Sequence, residues 1–256
     1  MNNLTIKPNE KQLECINNIE GKFLALAGPG TGKTFTLVQR IKFMLLNGIR
    51  EEKILCLTFS DSAAMELRQR LEKELKKTSL KVSIFTYHSF CNEIISENPL
   101  EYNLAEDYRV INKSTSRQLI KETIEEINPV EYRSSKNDPY VFIKSILEQI
   151  EEIKKNRLTK EKYFNNIEKN PDFKPQIEVL NQKLTDYQSK GKKVPKYVID
   201  GIEAQKKKIQ KAVELWDFYE SYKSKMDENY YIDFYDMINL VLEKFELEPS
   251  YAHRIS

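Results

Sequence analysis

The stretch "FLALAGPGTGKTFTL", Phe23 to Leu37, decides how the whole chain is read. Its apolar opening, within "KFLALAG", has the composition of a buried strand, and a glycine-rich turn follows. Then "KTFTLVQRIKFMLLNG" places Leu37, Ile41, Met44 and Leu45 on one helical face, with Gly48 where a helix C-cap would stand. Strand, turn and helix in that order are the context that a phosphate cradle requires. In "AGPGTGKT", Ala27 to Thr34, the glycines Gly28, Gly30 and Gly32 let successive backbone N–H groups turn toward an anion. The helix starting near Lys33 adds its positive N-terminal end. Lys33 would reach the β- and γ-phosphates, and the Thr34 hydroxyl would ligate Mg²⁺. Ala27 stands where the usual pattern begins with glycine, so the match is to a relaxed form.

Working outward, "KILCLTF" (Lys53 to Phe59) and "KVSIFTY" (Lys81 to Tyr87) read as second and third strands. Between them "DSAAMELRQRLEKELKK" reads as a helix opened by Asp61 or Ser62 as N-cap. This alternation implies an α/β fold with a parallel sheet. From about Cys91 the pattern changes to long helices, with one possible short strand at "YRVI", Tyr108 to Ile111. Ile143, Ile146, Leu147, Ile150 and Ile153 form one apolar stripe, and Ala212, Leu215, Trp216, Tyr219 and Tyr222 form another; both are expected to be core. This part reads as an inserted helical domain.

With 256 residues the chain can bury a real core, and 31% charged residues with a mean hydropathy of −0.61 argue against a membrane protein. No apolar run approaches the roughly 20 residues that span a bilayer, and "MNNLTIKPNEKQ" lacks the apolar core of a signal peptide. A cytoplasmic protein is therefore expected. Cys15, Cys56 and Cys91 fit reduced, buried thiols rather than a disulfide or zinc pattern. A net charge of +2 is too near neutral to announce a nucleic-acid partner, so any such partner must be argued from local patches.

Hydrolysis at a phosphate cradle also needs an acid on a neighbouring strand to hold Mg²⁺. Two apolar runs end in an acid, "KYVID" at Asp200 and "NYYID" at Asp233, but Gly201 and Phe234 follow where a second acid is expected, and both runs read as helical surroundings.

Taken in order, these motifs resemble the superfamily I DNA helicases of the UvrD/Rep/PcrA type, over most of the chain. "NEKQ", with Asn9 and Gln12, is similar to the family's Q motif, whose Gln reads the adenine edge. "AGPGTGKT" is similar to its Walker A, so the resemblance implies an ATP site of Gln12, Ala27, Gly28, Pro29, Gly30, Thr31, Gly32, Lys33, Thr34 and Arg40. In that set Arg40 would stack on the base, Lys33 and Thr34 would be catalytic, and Thr34 would hold the metal. "LTFSDSAAMELRQRL" resembles motif Ia and "FTYHSF" motif Ib, which implies single-stranded DNA contacts at Thr58, Phe59, Ser60, Ser62, Thr86 and His88. Asp61 and Ser62 depart from the family's Asn and Lys; Phe59 also reads as a plain core aromatic, and His88 as a structural histidine.

"YIDFYDMINLVLEKF" resembles the helix near the end of the family's helical insert, which assigns Asp233 and Asp236 to the insert and puts the Walker B strand after Ser256. The expected organisation is a partial P-loop NTPase (RecA-like) sheet at residues 1–90, a helical insert at 91–250, and the start of a return to the first domain at 251–256. The resemblance implies an ATP-dependent helicase or translocase using ATP and Mg²⁺, DNA repair being one process such motors serve. Its partners would be single-stranded DNA, single-strand/duplex junctions and the remainder of the helicase chain, with no membrane. This piece alone is expected not to hydrolyse ATP. The alternatives are a nucleotide-gated DNA-binding module without catalysis and a P-loop kinase of small metabolites; the kinase does not account for Gln12, "TFSDSAA" or "TYHSF". The lysines Lys190, Lys192, Lys193, Lys196, Lys206, Lys207, Lys208 and Lys211 read either as a duplex contact or as a solvated loop and helix face.

Overall fold

The computed structural model describes residues 7–76, 81–132, 140–169 and 174–251, the side chains of 168 and 174–177 apart. The chain divides into two compact units, Met1–Glu97 with Leu247–Ser256, and Asn98–Glu246.

In the first unit, α1 (Glu10–Asn17) precedes the glycine-rich loop and α2 (Lys33–Leu46) follows it. Asn9 and Gln12 start α1 with a reciprocal capping box, each side chain accepting from the other's backbone N–H at 2.9 Å. Helix α2 ends where Gly48 takes φ +84°, and the N–H groups of Gly48 and Ile49 close back onto the carbonyls of Leu45 and Met44. Strand β1 (Leu55–Thr58), helix α3 (Asp61–Leu75) and strand β2 (Ser83–Thr86) form a β-α-β crossover, with β1 and β2 parallel and Leu55 facing Ser83 through to Thr58 facing Thr86. Helix α4 (Tyr87–Glu97) leaves β2 directly and buries Cys91, Ile94 and Ile95. Val38 and Ile41 of α2, Leu67 and Leu71 of α3, and Ile54, Cys56, Val82 and Ile84 make one core.

Several sequence expectations change here. "KFLALAG" forms no strand and pairs with none among the described residues, and its apolar groups lie in solvent, Leu24 at 81% and Leu26 at 90% exposure. The α2 stripe keeps Ile41, fully buried, with Met44 and Leu45 packed against the core, but its first member is Val38 rather than Leu37, which is exposed. Neither Asp61 nor Ser62 caps α3: Ser60 does, its hydroxyl accepting from the Ala63 N–H. Cys56 and Cys91 are buried free thiols, but Cys15 is only half-buried. Burial raises the Cys56 thiol to about 11 and raises Cys91 as well, which keeps both protonated and unreactive near neutral pH.

The second unit is mainly helical: α5 (Lys113–Ile127), α6 (Ile143–Lys155), α7 (Lys160–Lys169), α8 (Lys174–Ser189), α9 (Lys196–Glu228) and α10 (Phe234–Leu247). At about 1.5 Å per residue the 33 residues of α9 span about 50 Å. The two stripes read from the sequence do meet: Ile146, Ile150 and Ile153 of α6 and Leu215, Trp216 and Tyr222 of α9 are buried together with Leu119, Ile120 and Ile124 of α5, and with Phe218. The short strand at "YRVI" is β3 (Arg109–Val110), paired in parallel with β4 (Tyr231–Ile232). The surroundings of Asp233 are therefore a strand end and a helix start, not helix throughout. Tyr230 takes φ +55° at that turn, which frees the chain to re-enter as β4.

Asp233 and Asp236 cap α10 for each other, Asp233 Oδ1 accepting from the Tyr235 and Asp236 N–H groups and Asp236 Oδ2 from the Asp233 N–H. Both carboxylates also hold Lys154 Nζ, at 2.6 and 2.8 Å, in a site where Lys154 is 6% exposed. Burial works against the ammonium charge, but Asp236 and Asp233 outweigh it, and the lysine pKa lies above its ordinary value. Lys154→Met leaves two acids together without their cation and is expected to lower unfolding free energy by about 3 kcal/mol, read from urea unfolding by circular dichroism.

Candidate functional site

The loop between Ala27 and Lys33 is shaped by its own sequence. Gly30 and Gly32 take φ +74° and +82°, a backbone region that side chains rarely adopt. Gly32 is the N-cap of α2 and offers no side chain to it, so the first N–H groups of that helix, at Lys33, Thr34 and Phe35, have no capping acceptor. The first helical bond runs from the Thr36 N–H to the Gly32 carbonyl at 2.9 Å. Lys33 Nζ curls back over the loop and donates to the carbonyls of Gly28 at 2.8 Å and Ala27 at 3.3 Å. The Thr31 hydroxyl closes the turn by donating to the Gly28 carbonyl at 2.9 Å. Pro29 lies exposed at the loop's outer edge, and Thr34 is half-buried in the first turn of α2.

Two side chains tie α1 to this loop and its helix. Gln12 Nε2 donates to the Thr31 carbonyl at 3.0 Å, and a Cβ added at Gly32 would meet that same nitrogen at 3.0 Å. Arg40 Nη1 donates to the Cys15 carbonyl, so its guanidinium is held against the end of α1. Gln12, Ala27, Gly28, Thr31, Gly32, Lys33 and Arg40 are thus linked in one small region, and Cys15 enters it through a backbone carbonyl that no side-chain motif could have flagged. The donor set fits a polyphosphate and its cation: uncapped helix N–H groups, one ammonium and one hydroxyl at Thr34, around a loop exposed from Ala27 to Thr31.

The second group of residues is assembled by strand register. Thr58 lies opposite Thr86, so the C-terminal ends of β1 and β2 open side by side. Phe59 follows at 95% exposure, which excludes the core reading of that ring. The Thr58 hydroxyl donates to the Ser60 carbonyl at 3.1 Å, and Ser60 and Ser62 share a hydrogen bond at 3.0 Å. The Thr86 hydroxyl is buried and accepts from the Ser89 N–H at 3.1 Å, while its contact with Ser89 Oγ is 2.8 Å. His88 sits half-buried in the first turn of α4. Ligands of open parallel sheets bind beyond the carboxyl ends of the strands, which is where this cluster stands. Ser89 is the member that motif reading missed; its spacing of three from Thr86 at a helix start was the available signal.

Asp200 and Asp233 both lie in the other unit: Asp200 is exposed on α9, and Asp233 is engaged with Lys154. The eight lysines from Lys190 to Lys211 are all exposed, on the α8–α9 turn, where Gly191 takes φ +61°, and along α9. Among the described residues no helix is long and apolar enough to cross a membrane.

The family model for the UvrD/REP helicase N-terminal domain matches residues 8–256. A probable DNA helicase II homolog of Mycoplasma capricolum and the ATP-dependent DNA helicases PcrA of Staphylococcus aureus and Staphylococcus epidermidis are similar to this chain. Each is 28% identical over 155 residues, which is 60% of this chain and 21% of the relative. The chain therefore spans about a fifth of the length of the curated relatives it matches.

The Gln12 contact separates two roles that one exchange experiment can resolve. Gln12→Glu keeps an acceptor for the α1 cap but removes the donor to Thr31. It is expected to leave the melting temperature within about 2 °C while speeding amide hydrogen exchange at Thr31 to Lys33, measured by mass spectrometry.

Proposed function

This chain belongs to the UvrD/REP helicase N-terminal domain family, and on that premise we propose that it supplies the nucleotide cradle and part of the strand track of an ATP-dependent DNA helicase. In this reading the unit Met1–Glu97 with Leu247–Ser256 is the first part of a RecA-like ATP-binding domain and the unit Asn98–Glu246 is its helical insert, so the boundaries expected from the sequence at 90 and 250 move to 97 and 246. The observation that carries the reading is the pairing of an uncapped, lysine-bearing helix start at Gly32–Lys33 with two strand ends brought level at Thr58 and Thr86.

Each residue then has a task that its chemistry supports. The N–H groups opening α2 hold phosphate oxygens, and Lys33 exchanges the Gly28 carbonyl for them. Thr34 offers its hydroxyl to Mg²⁺, an ion that neutralises phosphate charge when bound. Gln12 reads the adenine edge through the amide positions it does not spend on Asn9 and Thr31, and the Arg40 guanidinium lies against the base. Phe59 stacks on a base of single-stranded DNA, Ser60 and Ser62 meet phosphate at the start of α3, and Thr86 shapes the neighbouring turn that presents His88. Lys190, Lys192 and Lys193 on the α8–α9 turn, with Lys196 at the start of α9, suit salt-sensitive contact with a duplex at a junction.

Residues 1–256 by themselves bind nucleotide and single strands without turnover. What supports this is the commitment of Asp233 to Lys154 within the helical unit, which takes up one of the two sequence candidates for the Mg²⁺ acid. Titration with a fluorescent ATP analogue and a labelled oligothymidine tests the reading. Lys33→Ala is expected to weaken nucleotide binding at least tenfold and to spare DNA, whereas Phe59→Ala weakens DNA by roughly tenfold, about one stacked base. Strand-stimulated ATP hydrolysis by residues 1–256, abolished by Lys33→Ala, would contradict binding without turnover.

A further inference from the structure

The helical unit holds a cavity of about 400 Å³ whose walls are aromatic and whose rim is cationic. Tyr132, Phe142 and Tyr163 line it with Gln149, and Lys208 and Lys211 reach it from α9. Its size falls in the roughly 300–1,000 Å³ range of small-ligand sites. The rings are set firmly. Tyr132 meets Phe142 edge-on at 5.6 Å and Phe218 edge-on at 5.5 Å, and the Tyr163 hydroxyl donates to the Ala212 carbonyl at 3.2 Å. Lys211 Nζ stands 5.9 Å from the centre of the Tyr132 ring, within cation–π range.

One buried group keeps this wall in place. Glu214, 4% exposed, accepts the backbone N–H groups of Val130, Glu131 and Tyr132 at 3.0–3.1 Å, with Gln210 Nε2 at 3.2 Å. A buried carboxylate satisfied by three backbone donors fixes the segment just after α5 to α9 one turn beyond Lys211. Gln149 Nε2 donates to Ser145 and, at 3.4 Å, to the Tyr132 hydroxyl, leaving its Oε1 as an acceptor.

We propose that this cavity receives one unstacked nucleobase of a single strand, with the flanking phosphates on Lys208 and Lys211. Aromatic faces accept any base, and Lys208 and Lys211, three residues apart on one face of α9, supply cations for the phosphates on either side of it. A base still paired in a duplex cannot enter such a cavity, so the site selects single strands. This gives the helical unit its own hold on the strand, apart from Phe59, and rests on the DNA-binding reading above. A free mononucleotide shares the same chemistry, and competition separates the two sources.

The test is photo-cross-linking of the 256-residue chain to oligothymidine carrying 5-iododeoxyuridine, with the modified peptides read by mass spectrometry. Cross-links are expected at Phe142 or Tyr163 as well as at Phe59. Lys208→Ala combined with Lys211→Ala changes only exposed side chains and should keep the melting temperature. It should lower the Phe142 and Tyr163 products at least tenfold and spare Phe59. Products at Phe59 alone, or helical-unit products that survive the double substitution, would overturn the cavity and leave the helicase reading standing. Products at neither place would overturn both. Thymidine monophosphate competing as well as unlabelled oligothymidine would make the cavity a mononucleotide site and overturn the strand assignment.

Discussion

Four residues of parallel pairing carry the first unit. Leu55–Thr58 and Ser83–Thr86 cannot lie parallel without a crossover, and α3 is that crossover, held down by Leu67 and Leu71 against Cys56, Val82 and Ile84. Side chains as fully buried as Ile41 and Leu71 each contribute roughly 2 kcal/mol, so a handful of contacts holds a very small sheet in register. A one-residue slip would move Thr58 away from Thr86 and turn the buried face of the slipped strand outward. Strand register, rather than any single polar contact, brings the two candidate strand-binding motifs together.

Much of this was legible in the sequence because local patterns and tertiary packing agree. The glycine-rich loop, the start of α2 at Lys33, both paired strands and the apolar stripes of α6 and α9 all follow from period and turn chemistry. The failures have one physical source: composition does not reveal neighbours. Phe23 to Ala27 reads as a buried strand, yet a strand is buried only by what lies beside it. Leu37 and Val38 are equally apolar, and only the direction of packing chooses between them. At the site, Gln12, Lys33 and Phe59 were legible as residue types, but the bonds from Gln12 to Thr31 and from Arg40 to the Cys15 carbonyl join positions far apart in sequence.

The second unit is organised by buried charge as much as by apolar contact. Lys154 joins α6 to the start of α10, and Glu214 joins α9 to the segment just after α5. Such groups add little net stability compared with apolar replacements, but they penalise any packing that separates the partners. They narrow the arrangements open to a bundle whose apolar stripes alone would tolerate sliding. The rings around Trp216, where Tyr163 and Tyr219 both stand 5.1 Å away, fill the space that these polar ties define.

The curled position of Lys33 bears on timing. Its ammonium rests on carbonyls of its own exposed loop, so releasing it requires only side-chain rotation, a picosecond to nanosecond event. In the nucleotide-binding role proposed above, the backbone that would face the anion is already bent by Gly30 and Gly32. Capture in that role would be governed by diffusion and local charge, and differences in affinity between ligands would reside in how slowly they leave.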